Sequence, residues 1–257
     1  MQNDEFYLEV NFGKYGRYNT KTSNIIFECN GHKSVYPPQD YLKNGRFFNF
    51  EIAVKLFVSE YRTDTEVEIL NKVRFSTKER ANNVPWVRAI IAASILDFIS
   101  VLRDKNTNNS SAINQPPLSS KDKFKTYVKT HLNSQGRNFI NSGLRDDARD
   151  ICVEALYEGM RCGLMHTGFV GSTSPVLSSM SQNGRTDVML TDFSGEEVVT
   201  INENYTEVMI SPDKICRTAS NEMRNIIDHL KKHNNNSFYS DSICRVFMKK
   251  WEHRWGW

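Results

Sequence analysis

The chain has little of what marks secreted, zinc-binding or membrane-spanning proteins. Its five cysteines are scattered over 257 residues, and none of them stands in Cys-x-x-Cys spacing. An odd number of isolated cysteines predicts reduced thiols and argues against zinc. No apolar run approaches the ~18 residues that a membrane span needs, and residues 1–10 are acidic and polar rather than basic. We therefore predict a cytoplasmic protein with no signal peptide, no membrane span and no cofactor.

A large excess of one charge is also missing. The 33 lysines and arginines nearly balance the 30 aspartates and glutamates, which leaves a formal charge of +3. So small an excess excludes a protein that coats nucleic acid over its whole surface, and any site for a polyanion must be local. A helical DNA-binding protein is disfavoured by this small net charge and because no recognition helix is apparent.

Apolar periodicity predicts a mainly α-helical chain with small β additions. Residues 85–103 show the firmest helical pattern, because Pro85 can occupy the opening turn and apolar residues recur every three or four positions. Residues 50–61 fit either a helix or a buried strand, and we favour the helix. The other helices are predicted at residues 120–132, 145–164, 214–232 and 240–251, and the strands at residues 5–12 and 25–29, in a hairpin of residues 188–192 and 196–201, and at residues 207–210.

These elements predict two parts of the chain. Residues 1–80 would form an amino-terminal α/β extension packed on a helical bundle. Residues 81–257 would form the bundle itself, with the β-hairpin near residues 187–210 inserted into it. Polar stretches at residues 105–119 and 171–186 are typical of long loops.

A strong helical pattern ends with an arginine and a histidine five residues apart, Arg161 and His166. A guanidinium group offers a fork of donors that fits phosphate oxygens, and an imidazole titrates near neutral pH. On an undistorted α-helix, five residues rotate two side chains about 140° apart. The pair can therefore converge only if the helix ends between its members, for which Gly163 is suited, with Thr167-Gly168 as the exit.

The residues around this pair resemble the HEPN (higher eukaryotes and prokaryotes nucleotide-binding) superfamily. The resemblance rests on the string LYEGMRCGLMH at residues 156–166 and on SILD at residues 94–97, which ends an apolar helical stretch. The hallmark of that superfamily is Arg-x4-6-His at the end of a core helix. The resemblance implies a HEPN-like helical bundle, a homodimer that brings two motifs together, and metal-independent endoribonuclease activity. It also implies a role as a toxin or antiviral-defence effector, with an antitoxin or regulatory partner.

The implied reaction is attack of a ribose 2′-hydroxyl on the adjacent phosphate of single-stranded RNA. His166 would act as the general acid or base, and Arg161 would stabilise the charge that develops on the phosphoryl oxygens. Asp97 and Glu158 are supporting candidates: the first is an aspartate on a nearly all-apolar helix, and the second stands three residues before Arg161 and can pair with it. Ordinary ion pairs with arginine or lysine are the alternative for both.

Cys162 follows the arginine, where many active HEPN proteins carry Asn, Asp or His. This departure favours a second hypothesis, a catalytically inactive HEPN-like module that binds RNA, a nucleotide or a protein partner. The Cys162 thiol is more typical of a small packed side chain than of a nucleophile. A purely structural pair is also open, in which Arg161 caps helix carbonyls and His166 interacts with the helix dipole.

The carboxyl-terminal residues mix basic groups with aromatic rings. The candidates for binding single-stranded RNA are Lys249, Lys250, Trp251 and Arg254. The favoured interpretation is that Trp251 packs in the core while the lysines are solvated. His229 and His233 share a helix face, as a metal-binding pair would. No third ligand stands near them in the sequence, so we predict an exposed pair without metal.

Overall fold

A computed structural model of the chain describes residues 9–11, 16–19, 23–29, 32–44, 46–61, 85–104, 119–134, 138–162, 186–191 and 193–255. Within these ranges the protein is mainly helical with small β-sheets, which confirms the predicted class. The predicted loops lie outside the described residues, apart from Ser119 and Thr186. Among the described helices, none is both long enough and apolar enough to cross a membrane.

The chain divides into two compact units. The terminal unit consists of residues 1–71 and 225–257, and the central unit consists of residues 72–224. The sequence placed a boundary near residue 80, close to the first of these divisions. It did not place residues 225–257 with the amino-terminal part.

The terminal unit contains an antiparallel sheet of four strands paired in chain order, and a two-stranded ribbon. The prediction of strands at residues 5–12 and 25–29 is confirmed where the structure describes them. Four further strands were missed, two in this sheet and both strands of the ribbon, and one of the four exposes most of its polar side chains and so lacks an apolar pattern. The strands are β1 (Glu9–Asn11), β2 (Gly16–Asn19), β3 (Asn24–Cys29), β4 (His32–Tyr36), β5 (Leu42–Lys43) and β6 (Arg46–Phe47).

Helices α1 (Phe50–Glu60) and α6 (Ser242–Trp255) complete the core of the terminal unit. The side chain of Asn49 caps α1 by accepting a hydrogen bond from the Ile52 N–H at 3.1 Å, and the preference for a helix here is confirmed. The core is aromatic, with rings in edge and stacked contact that belong to Phe47, Phe50, Phe57, Phe238, Phe247 and Trp251.

The central unit contains helices α2 (Pro85–Arg103), α3 (Ser120–Tyr127) and α4 (Asp146–Glu154), and α5 (Pro212–Leu230) begins in it. The bounds of α2 match the prediction. The predicted helix at residues 145–164 is confirmed over residues 146–162, but its second half was not predicted to be a π-helix, which runs from Ala155 to Cys162. Likewise, α3 continues as a π-helix from Val128 to Leu132. The wider π winding preserves a buried face, so apolar periodicity did not reveal it.

A three-stranded sheet also belongs to the central unit, formed by β7 (Asp187–Leu190), β8 (Val199–Ile201) and β9 (Glu207–Ile210). The predicted pairing of β7 with β8 is wrong. Strand β9 lies between them, parallel to β7 and antiparallel to β8. The true hairpin turn follows β8, where Asn202 Oδ1 accepts hydrogen bonds from the N–H groups of Thr206 and Glu207 at 2.9 and 3.2 Å.

Candidate functional site

Arg161 lies in the last turn of the π-helical segment Ala155–Cys162. Nearly all side chains of this segment before Arg161 are buried, and only Glu158 is partly exposed. The side chains of Arg161 and Cys162 lie outside the described residues, as do Gly163, His166 and Thr167-Gly168. The predicted convergence of arginine and histidine therefore remains a prediction.

Glu158 takes part in an ion-pair cluster that joins α3 to α4. Lys121 Nζ lies 2.5 Å from Glu154 Oε1 and 2.6 Å from Glu158 Oε1. Lys125 makes a second ion pair with Glu154, whose side chain is only 4% exposed. Burial disfavours the charged Lys121 ammonium, but the hydrogen bonds and charges of Glu154 and Glu158 outweigh burial and raise its pKa above the ordinary value. Among the described side chains, Lys121 pairs with Glu158, and the predicted pair of Glu158 with Arg161 stays a prediction.

Asp97 lies on α2, the helix that packs against both α3 and the π-helical segment of Arg161. Its side chain is partly buried, and its main-chain carbonyl accepts a hydrogen bond from the Ser100 hydroxyl at 2.7 Å. Arg88, on the same helix, forms an ion pair with Asp213 at 2.8 Å. Asp97 thus lies on a helix that packs against the π-helical segment containing Arg161.

A buried carboxylate that the sequence analysis missed joins α3 to α5. Glu222 is only 2% exposed, and its Oε2 accepts a hydrogen bond from the Tyr127 hydroxyl at 2.9 Å. His131 Nε2 lies 3.1 Å from the same oxygen, and an Arg103 guanidinium nitrogen lies 3.8 Å away. This oxygen holds a phenol, an imidazole and a guanidinium group together inside the central unit.

The sequence carried a signal for this buried acid. Glu222 stands three residues after Ala219 and four before Ile226, both of which are buried. It therefore occupies the apolar stripe of α5, where an acidic residue needs a partner. The partners come from residues about ninety positions away, and a single sequence does not reveal them.

Two cysteines of the central unit are poor nucleophiles. Burial raises the pKa of the Cys152 thiol to about 12. Burial also raises the pKa of Cys216 to about 11, and the nearby Asp213 carboxylate adds to this effect. The thiolate, which is the reactive form, is therefore scarce at neutral pH.

The carboxyl-terminal helix confirms the core-packing interpretation for Trp251. Its indole is 4% exposed and contacts the rings of Phe47 and Phe247, so it cannot stack on a nucleotide base. Lys249 and Lys250 are exposed, and the Arg254 side chain lies outside the described residues. Among the described side chains of this segment, Lys249 and Lys250 are therefore the RNA-binding candidates that remain.

Four potential metal ligands meet in the terminal unit. The ligand atoms of His229, His233, Asp241 and Cys244 all lie within 4.8 Å of one another. The prediction that the two histidines have no third ligand is wrong, because the chain returns after α5 and places Asp241 and Cys244 beside them. Spacing was the missed signal: His-x3-His is followed, after a short polar stretch, by Asp-x2-Cys.

The comparisons with known proteins give this chain no relative: no family model, curated protein or solved structure matches it.

Proposed function

We propose that the protein is a metal-independent endoribonuclease of the HEPN type that cleaves single-stranded RNA. His166 moves the proton of the attacking 2′-hydroxyl or of the leaving 5′-oxygen, and Arg161 stabilises the phosphoryl oxygens. The products are a 2′,3′-cyclic phosphate and a free 5′-hydroxyl. The resemblance to HEPN toxins and defence effectors extends the proposal to a homodimer restrained by an antitoxin or regulatory partner.

The π winding of the segment that contains Arg161 is the observation that carries the proposal. A π-helix repeats its hydrogen bonds from residue i to residue i+5, and such segments occur frequently at functional sites. The same interval of five residues separates Arg161 from His166. An α-helix would turn the two side chains about 140° apart, whereas i to i+5 winding keeps residues at this spacing close to one face. The described π winding reaches Cys162, and we propose that His166 follows at the spacing that places it beside Arg161.

The surroundings of the π-helical segment add polar groups to this end of α4. Lys121, Lys125, Glu154 and Glu158 form one connected set of ion pairs between α3 and α4. Helix α2, which carries Asp97, packs against the same segment. A preorganised set of charges is what stabilisation of a developing phosphorane charge requires. Lys121, Lys125 and Glu158, each about one-third exposed, are the members of the set that solvent reaches.

Cleavage of a fluorescent single-stranded RNA by the purified chain in EDTA tests the proposal. We expect cleavage without added metal and products that end in a 2′,3′-cyclic phosphate. His166→Ala should lower the rate by about 10²- to 10⁴-fold, the usual contribution of a general acid or base. Arg161→Lys should also be impaired, because an ammonium group lacks the planar fork of donors that holds two phosphate oxygens.

His32→Ala is the matched control, because His32 is an exposed histidine on β4 of the terminal unit. It should cleave RNA at the rate of the unmodified chain. Equal rates for His166→Ala and the unmodified chain would exclude the proposed mechanism. RNA binding without any cleavage would instead support the inactive HEPN-like module, the alternative that Cys162 favours.

A further inference from the structure

We propose that His229, His233, Asp241 and Cys244 bind one Zn²⁺ ion that fastens the end of α5 to the start of α6. This site lies in the terminal unit and does not depend on the proposed ribonuclease activity. Two ligands come from the end of α5 and the residues just after it, and two come from the start of α6. All four can be supplied by one chain.

The geometry of the cluster is close to that of a closed tetrahedral site. His229 Nε2 lies 3.1 Å from Asp241 Oδ1, and His233 Nε2 lies 4.0 Å from Asp241 Oδ2. No pair of ligand atoms in the cluster is more than 4.8 Å apart. Zinc bond lengths of 2.0–2.3 Å imply ligand separations of roughly 3.3–3.7 Å in a tetrahedron. A contraction of about 1 Å at the longest edge, within reach of side-chain rotation, would therefore complete the site.

The chemistry of the donors selects the ion. Two imidazoles, a thiolate and a carboxylate offer nitrogen, sulfur and oxygen to one centre, a set that suits Zn²⁺ and not the oxygen-seeking Mg²⁺ or Ca²⁺. Four protein ligands leave no open position for a catalytic water, so the site would be structural. The Cys244 side chain is buried and the two histidines and Asp241 are partly exposed, which gives the ion a path from solvent.

Helix capping explains only part of this arrangement. Asp241 Oδ1 accepts a hydrogen bond from the Cys244 N–H at 2.9 Å and so caps α6, and the two histidines lie near the end of α5, where a cation is favoured. Neither role needs a buried thiol beside the carboxylate. A divalent cation would bind the Asp241 carboxylate and the deprotonated Cys244 thiol together.

Zinc would thereby tie down the polar stretch between the two helices. Residues 231–241 run from the end of α5 to the start of α6, and they include HNNNS at 233–237. Because Zn²⁺ binds this site only in the folded chain, its binding free energy adds to the free energy of folding. We expect Zn²⁺ at a hundredfold excess over its Kd to raise the Tm of the metal-free chain by roughly 5–10 °C.

The test is titration of the chelator-treated full chain with Zn²⁺ and, separately, with Co²⁺. We expect one equivalent of either ion per chain, and the Co²⁺ form should show the spectrum of a tetrahedral site with a thiolate charge-transfer band. Cys244→Ser should lose that band. Cys244→Ser, His233→Ala and Asp241→Asn should each weaken Zn²⁺ by more than the roughly 10–100-fold that loss of an outer-sphere partner costs.

Two variants keep this test independent of misfolding. Asp241→Asn retains a capping side chain for α6, so its metal-free form should match the metal-free parent in circular dichroism and Tm. Cys216→Ser alters another buried cysteine and should bind Zn²⁺ as the parent does. Failure of the parent chain to bind one equivalent, or unchanged affinity in Cys244→Ser, would overturn the proposal. Neither measurement involves RNA, so the result is separate from that of the cleavage assay.

Discussion

Buried carboxylates are the residues on which the central unit depends most. Glu154 and Glu222 are almost fully buried, and each has partners on other helices. A buried ionised group costs several kcal/mol unless it is paired and hydrogen-bonded. The partners of these two acids are therefore as necessary for stability as the acids themselves.

Glu222→Ala should destabilise the protein by about 3–5 kcal/mol, the usual consequence of removing one member of a buried charged group. The loss leaves the Arg103 guanidinium without this carboxylate and deprives the Tyr127 hydroxyl of its acceptor. Tyr127→Phe should cost only about 1 kcal/mol, the net contribution of a single hydrogen bond. Urea unfolding followed by circular dichroism measures both values.

Glu203→Ala is the control for this series, because Glu203 is an exposed acid in the turn after β8. Its free energy of unfolding should stay within about 0.5 kcal/mol of the parent. An equally small change in the free energy of unfolding for Glu222→Ala would show that the Glu222 carboxyl group is not ionised or does not stabilise the fold.

At the scale of elements, α3 and its continuation are joined to α4 by ion pairs whose side chains differ in burial. Lys121 pairs with Glu154 and Glu158, whereas Lys129 pairs with Asp150, and the side chains of that second pair are 46% and 51% exposed. Exposed pairs are screened by water and contribute about 0–1 kcal/mol. The deeper pairs should therefore fix the packing of the two helices.

Lys121→Met should lower the free energy of unfolding by about 1–3 kcal/mol, because the buried Glu154 carboxylate loses one of its two cations. Lys129→Met, on the same stretch of chain, should lower it by less than about 0.5 kcal/mol. Thermal or urea unfolding distinguishes them, and equal losses in the two variants would contradict the difference in depth.

How well each helix or strand could be predicted depended on the pattern of its own side chains. Helix α2 has an apolar surface and Pro85 at its first position, so its pattern gave both ends correctly. The π-helical segments could not be predicted, since an i to i+5 helix buries the same apolar residues as an α-helix. Strand β9 pairs with residues about twenty positions earlier, and that choice of partner depends on tertiary packing.

At the scale of the whole molecule, the proposed nuclease is a homodimer whose two sites meet across a two-fold axis. If each site combines Arg161 of one chain with His166 of the other, two inactive variants should complement each other. A mixture of Arg161→Ala and His166→Ala chains, unfolded and refolded together, should recover part of the RNA cleavage that neither variant shows alone.

Two observations control this experiment. Light scattering should give each variant twice the mass of one chain. Mixing the chains without refolding should restore less activity if the subunits exchange slowly. A dimeric mixture that stays inactive after refolding would place both residues of a working site on one chain.

The candidate sites were predictable to different degrees. The arginine-histidine motif was recognised because it is contiguous in the sequence. The Glu222 group and the His229, His233, Asp241 and Cys244 cluster were missed, because each assembles residues from separate elements. Contiguous motifs are visible in one sequence, whereas sites built across helices need the fold.

The parallel pairing of β7 with β9 has a consequence for the order of folding. The β8–β9 hairpin closes through a turn of five residues, 202–206, so it can form in microseconds. Strand β7 can add its hydrogen bonds only to the free edge of β9, and it must wait until that edge exists. Residues 187–190 are therefore the last of the three strands to be protected, and an interruption of refolding at that stage would leave the edge of β9 open to the β7 strand of another chain.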